Sequence, residues 1–236
     1  MSNKVTSADV IIAGAGPVGC TIALYLARKG ISVILLEGDS SLPLDLRAST
    51  IHPPTLDMLD ELGLTQKLIP QGLVAHEYQY RDRRTGEHST FDMRVLEGET
   101  RHPYRLQCEQ YKLTQEAVKM LRDFPHVTVL FDHRVEQVLQ DESGVTVYAE
   151  ALADGFHEYR GKYCVGTDGA NSRVRKSQAI NFQGFTYPER FLVVSTPFDL
   201  ATLLPQLTYV NYISDPDEWC VLLKTVTLWR VLIPVD

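Results

Sequence analysis

At 236 residues the chain can form one large domain or two modest ones, each with a real core. Apolar residues make up 44% and charged residues 22%, an ordinary globular balance that argues against a disordered or fibrous chain. A net charge of −7, with no long basic run, disfavours nucleic acid and anionic membranes as partners.

No apolar run approaches the roughly 20 residues that span a bilayer. Cys20, Cys108, Cys164 and Cys220 are widely spaced and make no C-x-x-C pair. That pattern predicts free thiols in a reducing compartment. The N-terminus lacks the layout of a signal peptide, so a cytoplasmic protein is expected.

In chain order, ADVIIAG (8–14) is short, apolar, β-branched and closed by glycine, which predicts a buried strand. Pro17 suits the first position of a helix, and Arg28, Lys29 and Gly30 suit its end. ISVILLE (31–37) reads as a second buried strand, completing a βαβ unit. HPPTLDMLDELG (52–63) predicts a short helix with Leu56, Leu59 and Leu62 on one face.

Residues 73–105 alternate around Thr85-Gly86, which predicts an antiparallel hairpin. Residues 109–124 predict an amphipathic helix with Leu113, Ala117, Met120 and Leu121 inward. HVTVLF, VEQVLQ, VTVYAEA and FHEYR follow at close spacing and predict a β-meander. YCVGTDG (163–169) then reads as a separate buried strand, and four more strands follow residue 182. The expected division is a nucleotide-binding region over 1–181, with 73–105 contributing to the sheet of a second region over 182–236.

The first chemical motif is the G-x-G-x-x-G of Gly14, Gly16 and Gly19, with Pro17 and Val18 between the last two. The first glycine permits a sharp turn, the second lets a pyrophosphate approach, and the third lets helix and strand pack. The helix N-terminus adds N–H groups and partial positive charge. Glu37, at the end of the second strand, suits adenosine ribose hydroxyls and disfavours the extra phosphate of NADP. Gly38 directly follows it. NAD and FAD both remain open on these residues, since each places an ADP half here.

The second motif is YCVGTDGANSRVR (163–175). Asp168 stands at the carboxyl end of a strand, where ligands collect in open α/β sheets. It could bind a second ribose, or form an Asx turn that caps the helix beyond. Gly169 completes the turn.

The two motifs together resemble the single-component flavin monooxygenases of the p-hydroxybenzoate hydroxylase type. RASTIHPPTLDMLDELG (47–63) is similar to that family's segment after the second strand, which implies Arg47 near the cofactor. QYKLTQ (110–115) is similar to the segment that contacts the ribityl-phosphate, which implies Gln110. Residues 209–235 look like strands of the family's substrate-covering sheet. The resemblance implies an α/β fold: a Rossmann-like FAD-binding βαβ sheet with an inserted β-meander, plus part of an antiparallel-sheet substrate domain.

It further implies FAD as cofactor, NADH or NADPH as reductant, and a small aromatic substrate with O2. A flavin hydroperoxide would hydroxylate a phenolic ring. A homodimer is among the expected assemblies. The family's third motif, a Gly-Asp pair before small residues and His, has no counterpart here, since Gly38-Asp39 sits in another context. A truncated monooxygenase is therefore expected. A non-catalytic FAD-binding remnant and an NAD-dependent dehydrogenase stay as alternatives. No catalytic residue and no metal ligand is assigned. Tyr209, Tyr212 and Trp219 are expected to pack on the sheet.

Overall fold

The computed structural model describes residues 6–44, 48–151 and 153–235. Arg47 lies outside the described residues.

β1 (Thr6–Ala13) turns at glycine into α1 (Pro17–Arg28) and continues to β2 (Val33–Leu36). β3 (Thr50–Ile51), α2 (Pro53–Glu61), α3 (Thr65–Leu68) and β4 (Leu73–Ala75) precede a hairpin of β5 (Glu77–Asp82) and β6 (His88–Asp92). β7 (Arg105–Gln107) leads into α4 (Gln110–Leu121). Then come β8 (Val127–Leu130), β9 (His133–Asp141), β10 (Gly144–Ala151), β11 (Gly155–Gly166) and the short α5 (Arg173–Ser177). β12 (Arg190–Thr196), β13 (Val210–Ser214), β14 (Cys220–Lys224) and β15 (Trp229–Val235) follow.

Contacts divide the chain into two interleaved units. One comprises Met1–Asp45 and Leu113–Gln183, the other Leu46–Lys112 and Gly184–Asp236. Residues 48–72, expected with the first region, cluster with the second unit.

The first unit holds a six-stranded sheet in the order β8-β2-β1-β11-β10-β9. β8, β2, β1 and β11 are parallel, and β11, β10 and β9 form an antiparallel meander. One face buries Ile11, Ile34, Val138, Val147 and Tyr159 in a common core. α1 packs against β1 and β2. Its Gly19, Cys20, Ala23, Leu24 and Ala27 are buried, which is why its apolar residues fill most of its circumference.

Three local expectations are corrected. FHEYR and YCVG belong to one twelve-residue strand, β11, because the backbone stays extended through Gly161 and pairs with β1 from Tyr159 to Gly166. HVTVLF is outside the meander, since β8 pairs in parallel with β2. Val118 is buried in α4 where Met120 was expected, and Met120 is half-buried.

The second unit holds a six-stranded sheet in the order β12-β15-β14-β13-β5-β6 and a small sheet, β3-β7-β4. The larger is antiparallel except where β13 meets β5 in parallel. The expected hairpin around Thr85-Gly86 is β5–β6, with Gly86 at φ +76°. Among the described residues no helix is long and apolar enough to cross a membrane.

Candidate functional site

The glycine turn is built by strand pairing. β1 and β2 run parallel to Ala13 and Leu36, and the Gly14 amide donates to the Leu36 carbonyl at 2.7 Å. Gly14 has φ +97°, and a Cβ there would stand 2.6 Å from the Thr167 carbonyl oxygen. A Cβ on Gly19 would collide first with the Gly14 carbonyl oxygen and would also stand 2.6 Å from the Thr167 hydroxyl. Gly14 therefore makes room for the second motif, and Gly19 makes room first for the glycine turn itself and then for Thr167. Gly16 differs, because a Cβ there meets nothing within 4 Å. The space beside it is open to a ligand.

Thr167 follows β11, the parallel neighbour of β1, and closes this arrangement. Its amide donates to the Ala13 carbonyl at 2.8 Å. Its hydroxyl lies 2.8 Å from the same oxygen and 2.9 Å from the Gly14 oxygen. Thr167 lies inside the second motif, YCVGTDGANSRVR, where only Asp168 and Gly169 were expected at the site. A threonine just before the Asp-Gly pair was the available signal, but its partner lies more than 150 positions away.

A cavity of about 400 Å³ opens at this junction, and Gly14, Gly16, Glu37, Gly38, Thr167 and Asp168 line it. His133, Arg134, Asn171 and Arg173 also face it, none of them expected from sequence. Glu37 accepts from the Ala15 amide at 2.7 Å and the Asp39 amide at 3.1 Å. Each carboxylate oxygen keeps a lone pair for a further donor, such as a ribose hydroxyl. α1 begins at Gly16 with no side-chain cap and no acidic residue in its first turn, where Pro17, Val18 and Gly19 lie. Its first amides have no intrahelical acceptor and can meet a phosphate.

Asp168 forms no Asx turn in the bonds it makes; it caps the helix beyond and leaves space for a ligand. Its Oδ2 accepts from the Arg173 amide at 2.6 Å and the Val174 amide at 3.1 Å, capping α5 with help from Ser172. Its Oδ1 is buried and has no hydrogen-bond partner. An unpartnered buried oxygen is costly and fits a cofactor hydroxyl that would donate to it. The orphaned oxygen, the open flank of Gly16 and the uncapped helix start together fit a dinucleotide such as FAD.

Gly169 lies in the same turn as Asp168, with φ +76°. Gln110 belongs to the second unit, where its amide donates to the Ala48 carbonyl at 3.1 Å. The segment just after Arg47 is thereby joined to the start of α4. Beneath the glycine turn, the Cys20 thiol donates to the Ala15 carbonyl at 3.1 Å. Burial pushes this thiol up to about 12, and the Glu37 charge adds to the shift.

Among the described residues no group of histidine, cysteine and carboxylate side chains could hold a metal ion. Tyr212 stacks on Tyr80 with centroids 4.8 Å apart, so it does pack on the sheet.

Comparison with known proteins agrees with this geometry. The family described as FAD binding domain matches residues 7–228. Para-nitrophenol 4-monooxygenase of Pseudomonas sp. strain WBC-3 is 33% identical over 224 residues, covering 94% of this chain and 55% of the relative. 6-Hydroxy-3-succinoylpyridine 3-monooxygenase of Pseudomonas putida is 34% identical over 195 residues, covering 82% and 49%. The crystal structure of p-nitrophenol 4-monooxygenase from Pseudomonas putida superposes with a TM-score of 0.92 at 32% identity, covering 99% of this chain and 59% of that one. The chain thus spans about half the length of the curated relatives it matches. It belongs to the FAD binding domain family, of the type found in aromatic-ring monooxygenases.

Proposed function

We propose that this chain contributes the FAD-binding unit and a substrate-facing sheet to an enzyme that hydroxylates a small phenolic ring with O2, using NADH or NADPH as reductant. The observation that carries the reading is the buried, unpartnered Oδ1 of Asp168 in the cavity shared with Gly14 and Glu37. The nitrophenol and hydroxypyridine monooxygenases among its relatives support a hydroxylated aromatic substrate.

In this reading Glu37 holds the adenosine ribose. Gly14, Gly16 and the first turn of α1, with Pro17, Val18 and Gly19, receive the pyrophosphate. Asp168, shaped by Gly169, accepts from a hydroxyl further along the cofactor, and Gly38 keeps the backbone clear beside Arg134. Arg47 and Gln110 are proposed for the flavin end. Bound FAD supplies the redox chemistry, taking reducing equivalents from a nicotinamide and using O2 to oxygenate the ring. The chain's own residues bind, orient and exclude water.

Calorimetric titration of the flavin-free protein with FAD and with NAD tests the cofactor, and FAD is expected to bind more tightly. Tighter NAD binding overturns the reading. Oxygen consumption with NADH or NADPH, stimulated by 4-nitrophenol, tests the reaction class.

A further inference from the structure

We propose that Arg105, framed by Tyr78 and Tyr212, anchors an anionic oxygen carried by an aromatic ring, either a phenolate or a carboxylate. This deepens the hydroxylase reading and rests on it, because it names the charge state the substrate-facing sheet selects.

Several surface arginines of the second unit pair with carboxylates. Arg84 meets Asp217 at 3.0 Å, Arg94 meets Asp92 at 2.9 Å, and Arg101 meets Asp60 at 2.8 Å. Arg105 is half-buried and meets rings instead. Its guanidinium lies 4.3 Å from the centroid of Tyr78 and 5.9 Å from that of Tyr212. Its terminal nitrogen donates to the Tyr212 hydroxyl at 3.0 Å. Its Nε is buried without a hydrogen-bond partner. Among the described residues no carboxylate pairs with it.

The nearby titratable groups do not cancel this charge. His52 is held below its ordinary value, first by burial and then by the Arg105 charge, so it stays neutral. The Tyr212 oxygen accepts from Arg105, which leaves its O–H group available to donate to a ligand oxygen. The rings are braced from behind. Tyr78 stacks on Phe91 with centroids 5.1 Å apart and planes at 9°, and Tyr212 stacks on Tyr80 at 4.8 Å and 19°.

A half-buried guanidinium with an unmet donor is costly unless a counter-charge arrives. A cation fixed beside aromatic faces, with a hydroxyl alongside, suits a flat ring that carries the anion itself. Pure packing would satisfy the rings but leave both the Nε donor and the charge unmatched.

The test uses the FAD-loaded protein and equilibrium dialysis with two coloured probes. These are 4-nitrophenol, above its ionisation so that it is the phenolate, and the uncharged 4-nitroanisole. The unmodified protein should hold the phenolate about tenfold or more tightly than the nitroanisole, the scale of one charge-assisted hydrogen bond. Arg105→Met should abolish that preference while leaving nitroanisole and FAD affinities unchanged. Arg105→Lys should retain part of it, and Tyr212→Phe should lower it. Equal affinity of the unmodified protein for the two probes overturns the anchor, as does an undiminished preference in Arg105→Met. If Arg105→Met fails to fold, the unmodified protein and Arg105→Lys decide. Failure of the unmodified protein to bind FAD sinks the hydroxylase reading itself, whereas FAD binding without charge preference sinks only the anchor.

Discussion

Thr167 locks Gly14 from both sides of its own backbone. Its hydroxyl lies 2.9 Å from the Gly14 carbonyl oxygen, and its own carbonyl oxygen stands 2.6 Å from where a Cβ of residue 14 would be. The two motifs are thus mechanically one object.

Thr167→Val keeps the volume and removes the hydroxyl. It should cost about 1 kcal/mol of stability, the usual net worth of a hydrogen bond. FAD affinity should fall as well, because the turn loses its clasp. Chemical denaturation and a calorimetric FAD titration check the two effects. Unchanged FAD affinity would show that β-strand pairing alone shapes the turn.

The glycines separate folding from binding. Gly14→Ala faces both a φ of +97° and the Thr167 carbonyl, and should destabilise the fold by about 1–3 kcal/mol. Gly16→Ala meets open space at an ordinary φ of −68°, so its stability should fall only by the cost of alanine at an N-cap, about 0.5–1 kcal/mol. Its methyl would project into the cavity and should weaken FAD binding roughly tenfold or more, a loss near 1.4 kcal/mol. Thermal melts beside FAD titrations measure both. A Gly16→Ala protein that binds FAD normally would place the pyrophosphate elsewhere.

Asp168→Asn retains an amide oxygen able to cap α5 and removes the carboxylate charge. The melting temperature should change little. FAD affinity should drop roughly tenfold, the scale of a hydrogen bond to a charged group. Asp168→Ala should lose both functions, with about 1 kcal/mol of stability lost from the cap. Comparing the two variants by melting and titration divides capping from binding.

The buried thiols set a limit at high pH. Burial pushes Cys20 up to about 12 and Cys108 and Cys164 up to about 11. An unfolded thiol ionises near 8.5. A raised folded-state value means the stabilisation is complete below about pH 8.5 and is lost as pH rises through the folded-state value. Denaturation midpoints should therefore decline above about pH 8.5, less steeply in Cys20→Ala. Thiol-specific reagents should react slowly with the native protein at pH 8 and quickly once it is unfolded.

Much of this protein was legible locally. A β-branched run closed by glycine, Pro17 at a helix start, Gly30 at its end and Thr85-Gly86 between alternating runs each act on a few neighbouring residues. Their elements formed where the spacing put them. Glu37 and Asp168 could be chosen because strand ends point their next residue toward the crevice above a parallel sheet.

Other features depend on which segments meet, and only the tertiary structure decided those. β11 ran on through a stretch read as two strands because β1 pairs along it, and β8 left the meander to extend the sheet beyond β2. The clearance demanded at Gly14 comes from Thr167, and the cation at Arg105 is framed by Tyr78 and Tyr212 from two other strands. Backbone periodicity is a local property of the chain. Close approach, burial and unmatched charge arise between residues brought together by folding, so no window along the sequence contains them.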